Sequence, residues 1–236
     1  MADRAMLPAD APAWQRHFHG DGYGYGWLLA LIAFSLGFQM AAPEEDWTRV
    51  VTILLQGLTL VAALSISGVR RWLLEAAIVV AALALVAVTL LAIGPSDTVP
   101  HGGGLLGLML ALLAPAAILR GIIRQARLSG RITVRTMFGV LCVYLLIGTA
   151  FAFAYSTIAA FADGTFFAQI TDPDQSDCLY FSFATMTTTG FGDLTAAEDL
   201  GRSLAVTEAL FGQIYLVTVV ALIVGNLGRP SVARVR

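Results

Sequence analysis

The stretch Cys178-Leu-Tyr-Phe-Ser-Phe-Ala-Thr-Met-Thr-Thr-Thr-Gly-Phe-Gly-Asp193 decides how the rest of this chain is read. Its first part is an amphipathic, aromatic run that predicts a helix of about ten residues, half the roughly 20 needed to cross a hydrocarbon core. Such a helix can enter a membrane and return as a re-entrant loop if protein covers it. Its C-terminal end carries partial negative charge from unsatisfied carbonyls and favours a cation nearby. Beyond it, Gly190 and Gly192 alternate with Thr189 and Phe191. Alternate glycines let a backbone take conformations closed to other residues, so that successive carbonyls can face one axis.

The surroundings of this stretch are apolar. Hydrophobic residues make up 58% of the chain and charged residues 13%, against roughly 25% charged in an ordinary soluble domain. Apolar runs between polar or Gly/Pro breaks predict six spans, near 25–42, 49–68, 72–93, 104–122, 136–162 and 202–227. The expected fold is therefore an all-α membrane protein of six transmembrane helices, with the re-entrant helix and loop between spans five and six. A net charge of -2 suggests no nucleic-acid partner. Cys142 and Cys178 imply no disulfide framework, and are read as structural thiols in an apolar run and an extramembranous loop. The N-terminal stretch up to Gly26 lacks the features of a cleavable signal peptide.

All basic side chains are arginines, and their placement orients the spans. With both termini cytoplasmic, Arg4, Arg16, Arg70, Arg71, Arg120, Arg124, Arg127, Arg131, Arg135, Arg229, Arg234 and Arg236 face inward, and Arg49 and Arg202 face outward. This predicts a multi-pass protein of a cell membrane, with an arginine-rich composition that hints at a bacterial inner membrane. Asp163, Asp172, Asp174 and Asp177 then lie outside, where an acidic mouth would concentrate cations. The organisation expected is a cytoplasmic segment 1–24, a four-span domain 25–122, a basic linker 123–135, a pore domain 136–228 and a tail 229–236.

Four copies of Thr188–Gly192 around one axis would replace the water shell of an ion with rings of carbonyl oxygens, the Thr188 hydroxyl adding one at the inner end. Here the sequence resembles the potassium channel superfamily. The run Asp177 to Leu194 is similar to that family's pore loop, T-x-G-Y/F-G-D behind an aromatic helix. The resemblance covers 136–228, and spans one to four match in number and topology alone. It implies K+ as the permeant ion, a homotetramer embedded in lipid, and ion sites at Thr188, Thr189, Gly190, Phe191 and Gly192. Asp193 would anchor the outer end of this filter, with Tyr180, Phe181 and Thr187 in support. The family's usual Val and Tyr are Thr189 and Phe191 here, and its paired tryptophans are Tyr180 and Phe181. Ala184 stands where some bacterial members carry a buried Glu. A hydrogen bond from Tyr180 to Asp193 is expected, because the aligned Trp makes one and a buried polar group needs a partner.

Span six resembles an inner helix, with Gly212 at the family's hinge position. Leu216, Thr218, Val219, Leu222 and Ile223 are candidates to line a cavity or gate, and Glu208 should face protein or water rather than lipid. Span four carries no arginine through Leu119, and Arg120, Arg124, Arg127, Arg131 and Arg135 follow its apolar part. An amphipathic cytoplasmic linker touching anionic headgroups is therefore favoured over a voltage sensor. His101-Gly-Gly-Gly104 imitates an esterase sequence without its nucleophile elbow and reads as a loop, and His17 and His19 find no metal-binding partners.

A non-selective cation channel is the alternative, motivated by Thr189 and Phe191. A secondary transporter would need an internal repeat and broken spans, which are not found, and no nucleophile with a base supports an enzyme. No cofactor and no C-terminal regulatory domain are expected, and a separate regulatory subunit is left open.

Overall fold

Runs of Ala, Leu, Val and Ile fold as helices until glycine, proline or a cap interrupts them. The computed structural model describes residues 24–43, 45–68, 71–93, 99–129, 134–161 and 165–226. Along them run α1 (Gly24–Ala41), α2 (Asp46–Ser67), α3 (Arg71–Ile93), α4 (Val99–Ser129), α5 (Val134–Phe161), the short α6 (Gln175–Met186), and α7 (Asp199–Ile214). A π-helical stretch, Tyr215–Val220, carries α7 into α8 (Ala221–Asn226). Among the described residues there is no strand, only an isolated antiparallel bridge between Phe167 and Ala196. Four helices are long and apolar enough to cross a membrane: Gly24–Ala41, Trp47–Ser67, Thr136–Phe161 and Asp199–Val220. Leu74–Ala87 and Gly107–Ile122 are shorter apolar helical stretches.

Local chemistry sets the boundaries. Gly68 ends α2 in the left-handed region at φ 62°, where a residue without Cβ is unstrained. Pro100 lies in the first turn of α4, where its missing N–H costs nothing. His101–Gly104 also lie within α4, so the stretch expected as a loop is helical. The apolar stretch ends at Ile122, and because Arg and Gln are good helix formers α4 continues beyond it to Ser129. Gly24 apart, the expected segment 1–24 lies outside the described residues, as do the tail 229–236, Asp163, and the side chains of Arg124, Arg127, Arg131 and Arg135.

One core joins α1 through α5. Tyr25, Leu28 and Ile32 of α1 meet Leu60 of α2, Leu110 and Ile118 of α4, and Val143 and Leu146 of α5. Two buried hydroxyls inside these apolar helices are satisfied locally: Thr59 and Ser67 donate to carbonyls four residues back, at 2.8 and 2.7 Å. A second, aromatic core lies around α6. Phe181 packs edge-on against Tyr155 of α5 and Phe167, with centroids 5.1 and 5.0 Å apart. α1 and α4 pack on α5, α2 packs on α1 and α4, α3 packs on α2 and α4, and α5 in turn backs α6.

Candidate functional site

The site is built on α6. Its first turn is fixed by a capping box: Asp174 Oδ1 accepts from the Asp177 N–H at 2.6 Å, and Asp177 Oδ2 accepts from the Asp174 N–H at 3.2 Å. Two of the four acidic residues expected at the mouth therefore order a helix end. Burial pushes the Asp177 carboxyl above the usual range, opposed by its backbone hydrogen bond to Asp174. Cys178 is helical and fully buried rather than in a loop, and both cysteines are free. Burial also raises the Cys178 thiol, with the Asp177 and Asp174 charges adding to it.

The buried side of α6 comprises Cys178, Leu179, Phe181, Ser182 and Met186. Met186 closes it between two glycines. A Cβ on Gly148 of α5 would lie 2.9 Å from Met186 Cε, and a Cβ on Gly212 of α7 only 2.3 Å from Met186 O. Both distances are below any real contact, so the two glycines let α5 and α7 close on the end of α6.

The helix ends in a Schellman motif. The Thr188 N–H donates to Thr185 O at 2.9 Å, and the Thr189 N–H to Ala184 O at 2.9 Å, with the Gly190 N–H sharing Ala184 O at 3.1 Å. Glycine normally fills the left-handed position of this motif. Here it is Thr188, at φ 58°, a conformation that costs a side chain about 1–2 kcal/mol. Gly190 and Gly192 follow at φ 51° and 80°, while Thr189 and Phe191 between them are not in the positive region. The sign of φ therefore alternates from Thr188 to Gly192.

Around this segment the expected contact between Tyr180 and Asp193 is present, Tyr180 Oη donating to Asp193 Oδ2 at 2.7 Å. It holds the Asp193 carboxyl below the usual carboxylate range and pushes the Tyr180 phenol up. Phe191 is exposed and stacks on Tyr180 at an interplanar angle of 7°. Thr187 caps α6, its hydroxyl donating to Phe183 O at 2.6 Å and lying 2.9 Å from the Thr189 hydroxyl. The loop after Asp193 is tied down by the Phe167–Ala196 bridge, and Gln169 contacts the Thr195 N–H and hydroxyl at 2.9 and 2.8 Å.

In α7 and the π-helical stretch, Leu216 and Thr218 are exposed, whereas Val219 packs against the core of α1–α5. The side chains of Leu222 and Ile223 lie outside the described residues. Helical backbone continues through Gly212, and the widened turn begins at Tyr215, whose hydroxyl donates to Val140 O at 2.7 Å. Glu208 is buried against protein, between Tyr155 and Ser182. Reading the sequence missed these two partners, as well as Met186 and Gly148. Their only signals were a hydroxyl in an aromatic helix, a tyrosine deep in span five and a glycine in an apolar run.

Residues 139–228 match the family model described as "Ion channel". The matched stretch holds most of α5, all of α6, the Thr188–Gly192 segment and α7. The match supports an ion channel and, with the apolar helices, a multi-pass membrane protein; it points to a channel rather than an enzyme. No curated protein and no solved structure matches the chain.

Proposed function

We propose that this chain is one subunit of a homotetrameric, potassium-selective channel with six spans, both termini cytoplasmic and α6 re-entrant. Thr188, Thr189, Gly190, Phe191 and Gly192 form its selectivity filter. The observation that carries this reading is the alternation of φ sign along those residues. In a chain whose φ alternates between left- and right-handed regions, consecutive carbonyls turn to the same side instead of opposite sides. Four such strands would ring a dehydrated cation with oxygens. K+ then passes down its electrochemical gradient, needing no cofactor.

Other features support the assembly. The inner helix exposes Val206, Leu210, Phe211, Ile214 and Val217, apolar groups that a bilayer or neighbouring subunits would cover. Tyr180, Phe181, Thr187 and Asp193 brace the filter. The Thr187–Thr189 hydroxyl contact accommodates the polar side chain at the family's usual Val position. Bending for gating falls at Gly212, just before the helix widens over Tyr215–Val220, with Leu216 and Thr218 facing the conduction path.

Potassium flux into liposomes holding the purified protein tests the reading. Flux blocked by barium and lost in Gly190→Asp is expected; undiminished flux in that variant would overturn the filter assignment.

A further inference from the structure

Glu208 is completely buried, one turn above Gly212, and touches both other elements of the pore domain. Its Oε2 accepts from Tyr155 Oη of α5 at 2.6 Å. Its Oε1 lies 2.5 Å from Ser182 Oγ of α6, and Ser182 Oγ is also 2.7 Å from Gly148 O of α5. Counting protons shows what each state of this group costs. A serine hydroxyl has one proton to donate, and the Gly148 carbonyl can only accept. If Ser182 donates to Gly148 O, its contact with Glu208 is a hydrogen bond only when Glu208 supplies the proton. An ionised Glu208 would take the serine proton for itself, and the Ser182–Gly148 O contact that ties α6 to α5 would lose its hydrogen.

The remaining surroundings point the same way. The titratable groups facing Glu208 are Tyr155 and Tyr144 of α5, with Cys178 of α6 beyond Tyr155. No arginine or histidine among the described residues pairs with it. A buried carboxylate without a cation is costly, whereas a neutral acid with a donor and an acceptor is fully satisfied.

We propose that Glu208 is a protonated positioning residue: as a neutral acid it completes one run of hydrogen bonds, Tyr155 to Glu208 to Ser182 to Gly148, that fixes α6 between α5 and α7 and keeps the filter conducting. Ser182 lies one turn before Met186, the last residue of α6 and two residues before the filter segment. Losing the proton forces Ser182 to abandon one of its two partners and frees α6 to shift. The conducting part of this inference rests on the channel reading above; the protonation does not.

The test uses the purified full-length protein in lipid. Infrared spectra at neutral pH should show a protonated-carboxyl stretch that is missing in Glu208→Gln and moves to higher frequency in Ser182→Ala, where the acid loses its acceptor. A wild-type spectrum with Glu208 as carboxylate overturns the proposal, whatever the protein conducts. If Glu208→Gln does not fold, the Ser182→Ala band decides, and an unmoved band is contrary. In bilayers, raising the pH should lower wild-type current roughly tenfold, the equilibrium effect of one buried hydrogen bond. Glu208→Gln, which keeps a donor toward Ser182 and an acceptor toward Tyr155, should hold its current. An equal decline in both proteins contradicts the role. Absence of current in both, with the expected spectra, counts against the channel reading and leaves the protonation standing.

Discussion

The Tyr180 hydroxyl and the Asp193 carboxylate, thirteen residues apart in sequence, are joined by a hydrogen bond of 2.7 Å that ties α6 to the residue following the Thr188–Gly192 segment. The donor is a phenol, which is itself ionisable. The bond favours the charged form of Asp193. Its stabilisation is complete above the ordinary aspartate pKa, near ~4, and is lost as pH falls through the lower folded-state value.

Tyr180→Phe should therefore raise the Asp193 titration midpoint towards the ordinary range and speed inactivation. Carbon-13 titration of labelled aspartate measures the first and sustained-voltage recordings the second. An Asp193 titration that does not move would show that the bond is absent in solution.

Thr187 and Thr189 share a hydroxyl contact of 2.9 Å. A double-mutant cycle with Thr187→Val and Thr189→Val should give a coupling of about 1 kcal/mol in thermal stability. Additive effects would mean that the two hydroxyls act independently.

Asp174→Ala removes the cap of α6, so stability should fall by about 1 kcal/mol, with Asn restoring most of it. Denaturation followed by circular dichroism in detergent measures this. If Asp174 served only to attract cations, Ala would change conductance at low salt and leave the unfolding midpoint in place.

Gly212→Ala puts a Cβ 2.3 Å from Met186 O. Because the obstacle is backbone, the helices must separate, and a loss of about 1–3 kcal/mol is expected. A glycine needed only for bending would leave the melting temperature unchanged and alter opening alone.

Much of this arrangement was legible in the sequence, because hydropathy and turn residues are local signals. The helices at 24–41, 46–67 and 134–161 lie within a few residues of their expected limits, and the Thr188–Gly192 motif names its own backbone conformation. The arginine-bearing linker after Ile122 begins as a continuation of α4, because leaving an apolar run does not end a helix and Gly130 is the first breaker beyond Ile122. The His101–Gly104 loop was misjudged because three glycines weaken a helix without forbidding it. What the sequence could not display was contact between distant segments. Met186 held between Gly148 and Gly212, and Glu208 between Tyr155 and Ser182, depend on three helices meeting, and one-dimensional spacing carries no trace of that meeting.

The most direct test is the reversal potential of the purified protein in a planar bilayer separating potassium from sodium solutions. For a potassium-selective pore the potential should follow the potassium equilibrium value as the gradient is changed. A potential that stays near zero while current flows would identify a non-selective pore and contradict that selectivity.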